Sequence, residues 1–502
     1  MLVASVVGPG IPVDGGSGGR AEDAGFDVRD CAGEVVARVD ECSPGDVDSL
    51  VRAVTAAAAR WRSRPAHSRV RAMLDWAAAL DGERGRLAEL LAAEAGALRS
   101  EAELEVDRAV DWIRYYSGLV GKVDGRVFGG IPGQFGYTAR EPYDVVAGVN
   151  AAVGALALFA GQASLSLASG SGYLFKAHAE APLAPLMMAE LAQAAGVEPV
   201  AAVAGSTQVG EYVSTHTGVG LLAFTGRSPV GREVIAGSVK EVTPLVMGLG
   251  ARNAALVLDD AALSTVVPAV LHSRFSRAGQ EWFGVAHVYV HESLFEDFVA
   301  RAVALADRIK VGPASDPDSL MGPLLSRQRR QLLETALAAG VADGARVLAG
   351  GRPPADLPDG AYFAPTVVVD ASPTNPLRRD EVVGPVLTVS SFGDVDQVVA
   401  QANASQSGAV MQVWGRDVRT LKSVSDRLEA GAIWINTADG LSPEVPIGSW
   451  KSSGYGTTGG VSSLDYFTRT KAIMWDLTPL SDRAPSLAKL AHATKVGGAA
   501  NA

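Results

Sequence analysis

Few side chains in this sequence are placed to do covalent chemistry. Only Cys31 and Cys42 carry thiols, both in the first tenth of the chain, and the seven histidines are dispersed. This gives no metal-ligand spacing and no disulfide framework, so no metal is expected. His287 alternates with Val288 and Tyr289 in a predicted strand, a pattern that suits a packed histidine better than a base. A different chemistry is written in Phe224-Thr225-Gly226-Arg227-Ser228-Pro229-Val230-Gly231, which follows one predicted strand and opens a helix. Unpaired N–H groups and the positive end of the helix dipole make such a turn a natural phosphate site. Its glycines would let a diphosphate approach the backbone, although tight strand-to-helix turns need glycine anyway. Lys176 ends a buried strand, where a snorkelling lysine is the plain structural reading.

The elements that must position these groups follow from pattern. Apolar runs at Asp144–Val149, Tyr173–Lys176, Val200–Val203 and Gly220–Phe224 alternate with helical periodicity over Leu156–Leu167, Leu183–Ala195 and Val209–Ser214. Near-continuous apolar strands separated by helices mean a doubly wound parallel sheet. A second α/β unit repeats the alternation, with strands at Ala255–Leu258, Val285–Val290, Phe363–Val369, Val386–Ser390, Val410–Trp414 and Ala432–Asn436. At 502 residues, two or more domains are expected. The formal charge of −11 opposes nucleic acid as a partner, because phosphate backbones demand clustered Lys and Arg. The scattered arginines read as solvated helix faces. The most apolar run, Ala151 to Ala168, is interrupted by Gly154, Gly161 and Gln162, so no membrane span is expected. The first residues lack a basic leader, which predicts no signal peptide and a cytoplasmic protein.

The stretch Gly279-Gln280-Glu281-Trp282-Phe283-Gly284 resembles the nucleophile loop of the aldehyde dehydrogenase superfamily, where a Gly-Gln pair is followed one residue later by a cysteine. Other landmarks agree: Phe224–Gly231, Gly322-Pro323-Leu324, Asp380–Val386, Trp434-Ile435-Asn436 and Pro446–Gly456. The likeness runs from about residue 25 to 478. It implies an NAD(P)-binding-type domain over 1–123 and 143–250, a catalytic-type domain over 251–448, and an oligomerisation arm from 124–142 and 464–478. A tail, 479–502, follows. A homodimer or homotetramer acting on a small molecule is implied as well. The resemblance places Lys176, Thr225, Gly226, Arg227, Val230, Gly231, Gly248 and Glu381 at the cofactor, NAD or NADP. Lys176 would hold the adenosine ribose and Glu381 the nicotinamide ribose. The ribose-binding glutamate is replaced by Ala179, with Glu180 one place off, which suits a 2′-phosphate and leans to NADP. Arg227 stands where the family has serine; it would either bind phosphate or fill the site, and binding is favoured.

Three positions that carry aldehyde chemistry in the family are changed. Trp282 stands for the cysteine, Gly248 for the general-base glutamate and Val153 for the oxyanion asparagine; Asn150 lies three residues early. An indole cannot attack a carbonyl, and valine has no donor for a developing oxyanion. The expectation is therefore a repurposed oxidoreductase passing hydride directly to or from a carbonyl or imine. Trp282 and Phe283 would wall its pocket, with Glu281 or His287 as proton donor, although a solvated loop carboxylate is the plainer reading of Glu281. The alternatives are a pseudoenzyme scaffold and a non-redox condensation or cyclisation in the old tunnel.

Overall fold

The computed structural model describes residues 25–478 apart from Ile131, Ala251 and Pro358, together with the short strands Leu2–Val3 and Val6–Val7. Local sequence explains the helices that frame the first half. Pro44–Ser63 starts at Ser43, whose hydroxyl accepts from the Asp46 N–H while the Asp46 carboxylate accepts from the Ser43 N–H. This reciprocal cap satisfies N–H groups that a helix start leaves orphaned, and Pro44 suits the first turn. Val47, Leu50, Val51, Val54, Ala58 and Trp61 then recur every three or four residues and are buried. Helix Arg99–Ser117 is capped by Glu101 and buries Ala102, Val106, Ala109 and Ile113, but also Glu105, a charged residue inside an apolar stripe.

Among the described residues there are two seven-stranded sheets. In the first, the strands run Val6–Val7, Val200–Val203, Gly172–Lys176, Val145–Asn150, Leu221–Thr225, Leu245–Gly248 and Gly454–Tyr455. The five inner strands are parallel and the two short edges antiparallel. The second sheet orders Arg346–Ala349, Thr366–Val369, Val386–Phe392, Val285–His291, Asn253–Val257, Val410–Trp414 and Ala432–Ile435. It is parallel except at its first pair. Each sheet has its own apolar core. Trp76, Tyr116, Phe159 and Phe175 anchor the first, Phe275, Phe298 and Phe363 the second. Removing one such aromatic costs roughly 3–5 kcal/mol.

Gln134–Pro142 pairs antiparallel with Thr468–Asp476 along its whole length, from Gln134–Asp476 to Pro142–Thr468, and carries Val127–Phe128 on its other edge. Val127, Phe128, Phe135, Met474 and Trp475 are exposed on this sheet.

Two features depart from the sequence expectation. Gly454–Tyr455 returns to the first sheet and pairs with Met247 and Gly248, so the chain crosses back after the second unit. Leu2–Val3 and Val6–Val7 pair with Val35–Asp40 and Val200–Val203, although residues 1–24 are rich in Gly and Pro and read from sequence as an irregular arm. Two-residue strands have no periodicity of their own, and only their partners define them. The rest of that arm and the tail 479–502 lie outside the described residues. No described helix is long and apolar enough to cross a membrane.

Candidate active site

Asn150, Lys176, Thr225 and Gly248 are the last residues of four neighbouring parallel strands, and all four line one cavity of about 800 Å³. Open parallel sheets present ligand sites at their carboxyl ends, where the strands stop and the loops diverge. The opposite wall comes from the loop Gly279–Gly284 and from Glu381.

At the end of the cavity beside the Gly226 turn, Lys176 is buried and its Nζ donates to the Gly205 carbonyl at 2.8 Å. It forms no ion pair, and desolvation draws its pKa down to about 8 against the pull of Glu41 and Cys42. An ammonium with one acceptor has donors to spare. Gly226 donates its N–H to the Gly248 carbonyl, and Gly231 packs so closely on Leu249 that a Cβ there would collide. Arg227 and Val230 lie on the exposed lip of the cavity, with no carboxylate on the guanidinium. Glu180 turns toward Arg329, with 3.5 Å between Oε2 and Nη2, and does not replace the missing carboxylate beside Lys176. His178, also in the wall, is drawn by burial to a pKa of about 4 and is neutral at ordinary pH.

Glu381 occupies an unexpected seat. Its Oε2 accepts from the Ser228 N–H at 3.4 Å, at the start of helix Ser228–Ser238, and a Cβ on Gly250 would strike the same carboxylate. The turn thus receives an anion, as its dipole favours, but from the protein itself. Burial raises the Glu381 pKa, opposed by Ser228, Arg227 and Arg252.

At the other end the loop backbone is strained. Arg277 and Ala278 both have φ of 53° and Gly279 follows at 72°, three successive left-handed residues. Each non-glycine residue there costs on the order of 1–2 kcal/mol. Helix Arg99–Ser117 holds them in place: Glu101 accepts the Arg277 N–H at 2.7 Å and Glu105 the guanidinium at 2.8 Å. Gly279 lies against the Gly384 carbonyl, leaving no room for a side chain.

The turn presents Glu281, Trp282 and Phe283 to the cavity. Glu281 is not a solvated loop carboxylate. Its side chain is 10% exposed, and Arg108 Nη1 lies 3.8 Å from Oε1. Its Oε2 is sealed and without a hydrogen-bond partner. Burial pushes its pKa up to about 7; Arg277 and Arg108 oppose the rise, while Glu105 and Glu101 add to it. The half-buried Trp282 meets Phe283 edge to face at 5.4 Å, and Phe283 meets Trp434 at 5.7 Å. Val153 sits in the turn before helix Ala155–Ser169 and offers only methyl groups. Asn150 is buried and its amide is paired with that of Gln162, donating at 2.9 Å and accepting at 3.1 Å. Neither cysteine lines the cavity.

His287 is outside the cavity, contrary to its place among the pocket candidates. Its ring is held between Thr388 at 2.7 Å and Ser390 at 2.9 Å, and burial keeps it neutral. Arg108, by contrast, escapes a reading that sends arginines to solvated faces. The available signal is the spacing Glu101, Glu105, Arg108, Trp112, which puts four large side chains on one helical stripe. No group of three or more candidate metal ligands occurs among the described residues.

This architecture has many relatives. The aldehyde dehydrogenase family model matches residues 20–473. Betaine aldehyde dehydrogenase of Vibrio vulnificus (strain YJ016) is 30% identical over 455 residues, covering 90% of this chain and 94% of that one. The structure of a putative aldehyde dehydrogenase from Burkholderia cenocepacia superposes with a TM-score of 0.89 at 30% identity, over 92% of this chain and 95% of the other. The NAD+ complex of an aldehyde dehydrogenase from Bacillus cereus superposes with a TM-score of 0.88 at 27% identity, over 90% and 94%. Fold, strand-end cavity and sequence agree: this chain belongs to the aldehyde dehydrogenase family.

Proposed function

We propose that the protein is an NAD(P)-dependent oxidoreductase that passes hydride directly to or from a carbonyl or imine carbon, without a covalent bond to the enzyme. The carrying observation is Glu281, a buried carboxyl with a pKa near 7, in the same cavity as the cofactor positions. A general acid works best with its pKa near the working pH. The Bacillus cereus relative binds NAD+, which makes a nicotinamide cofactor the natural expectation.

The residues present fit such a dinucleotide. Lys176 has spare donors for a ribose or its phosphate, Arg227 is unpaired in the wall, and the turn at Gly226 leaves backbone room. Glu381 would take the second ribose by leaving the Ser228 N–H. The lack of a carboxylate at Ala179 favours NADP over NAD. Lys176, Arg227 and Glu381 would hold a reduced nicotinamide dinucleotide, which would supply hydride to the substrate carbon while the heteroatom of the double bond would take a proton. Trp282, Phe283 and Val153 exclude water and offer a flat apolar wall, and Glu281 holds the proton. Thiol chemistry has no support, since both cysteines are remote. The exposed apolar residues on the arm sheet support self-association as a homodimer or homotetramer.

Titrating the protein with NADPH, NADH and their oxidised forms, following nicotinamide fluorescence or heat, tests this reading. NADPH is expected to bind most tightly. No binding of any form at millimolar concentration would sink it and leave the scaffold reading, in which the fold serves as an assembling partner.

A further inference from the structure

A carbonyl undergoing hydride addition develops negative charge on oxygen, and a site that handles it needs an aimed donor. The obvious places are poorly equipped. Val153 is apolar; Asn150 and Gln162 are buried and each gives an amide N–H to the other's oxygen, with Tyr173 donating to the same Gln162 oxygen at 2.8 Å. Arg274 reaches the wall, but it is buried, and its Nε and Nη2 are committed to the Val386 and Val382 carbonyls.

Arg108 is different. It projects from helix Arg99–Ser117, lines the cavity, and its side chain is 19% exposed. One nitrogen, Nη2, is anchored on Asp439. The guanidinium lies over the Phe283 ring, 5.3 Å from its centroid, which fixes its plane. Nη1 stands 3.8 Å from Glu281 Oε1, too far for a hydrogen bond. Among the described residues Nε and Nη1 make no hydrogen bond, and neither is among the sealed, unpartnered atoms. Arg108 is thus held on two sides, with donors left over beside the one carboxyl suited to give a proton.

We propose that Arg108 supplies the hydrogen-bond donor for the substrate's carbonyl oxygen, filling the role that Val153 cannot, and that the substrate is therefore a carbonyl compound and not an iminium ion. This rests on the oxidoreductase reading and narrows it. A fixed guanidinium attracts an oxygen gaining negative charge and repels a protonated nitrogen. It is not a carboxylate trap, because Asp439, Glu105 and Glu101 surround Arg108 and Arg277 and leave no net positive charge.

The test uses full-length protein and two ligands of matched shape, acetophenone and 1-phenylethylamine, whose binding is followed by calorimetry at pH 6, where Glu281 is protonated, with and without saturating NADPH. The ketone is expected to bind the wild type more tightly than the amine. Arg108→Gln should weaken the ketone by about tenfold or more, the scale of a hydrogen bond to a charged group, and strengthen the amine. Arg108→Lys keeps a charged donor and should retain part of the ketone preference. It decides the matter if Arg108→Gln fails to fold with Asp439 left unpaired. A second readout is the proton on Glu281: losing the Arg108 charge should move the pH dependence of ketone binding upward in Arg108→Gln, and Arg108→Lys should keep it near the wild type. Unchanged ketone affinity in Arg108→Gln, a wild type that prefers the amine, or an Arg108→Lys protein blind to the difference would each overturn the proposal. Ketone binding through Arg108 in a protein that binds no nucleotide would keep this inference and remove hydride transfer.

Discussion

Glu281 concentrates the chemistry of this site in one titration. Its carboxyl ionises near 7 in the folded protein, against an ordinary 4.5, because burial outweighs the attraction of Arg277 and Arg108. A raised acid favours the protonated form: the associated stability is complete below 4.5 and is lost as pH rises through 7. Glu281→Gln should therefore gain stability relative to the wild type between pH 5 and pH 8, visible in melting curves at the two values. If Glu281 is the proton donor proposed above, the same substitution should lower turnover by roughly 10²-fold and remove its decline above pH 7. A wild type and variant with parallel pH profiles would show that Glu281 takes no part. Sequence alone points to a solvated carboxylate here, since loop acids usually are. The groups that enclose it, Glu101, Glu105 and Arg108, are more than 170 positions earlier, and no local pattern signals such a meeting.

Helix Arg99–Ser117 and the loop it supports form a unit at the scale of elements. Glu105 and Arg277 are each 6% exposed and paired at 2.8 Å, while the other Glu105 oxygen accepts from the Leu156 N–H at the start of helix Ala155–Ser169. One carboxylate therefore ties the strained loop to a helix start. Glu105→Gln removes the ion-pair partner of the buried Arg277 guanidinium, and should cost about 3 kcal/mol or more. A denaturant midpoint within error of the wild type would contradict that account. Periodicity does reveal Arg99–Ser117 as a helix, and the Gly-Gln pair marks the turn, because both signals are local. The left-handed pair Arg277–Ala278 is illegible for the opposite reason: neither residue prefers that conformation, and only distant carboxylates impose it.

For the molecule as a whole, alternating strands and helices make both sheets readable, and the parallel order follows from the helical crossovers. The return of Gly454–Tyr455 to the first sheet is not readable, yet it helps close the cavity, through Gly448, Ser449, Ser453 and Thr458 in its wall. The site thus belongs to the assembled chain and to neither unit alone. The same view gives the seat of Glu381 a further meaning. A carboxylate whose pKa is raised by burial is one the fold would be more stable without once it is ionised. Retaining it is a concession of robustness to function. Glu381→Gln should melt higher than the wild type at pH 8 and little differently at pH 4.5, while losing its hold on the nicotinamide end of the dinucleotide. A screen that selected this protein for thermal endurance alone would be expected to discard Glu381 early, and with it the grip on the cofactor proposed above.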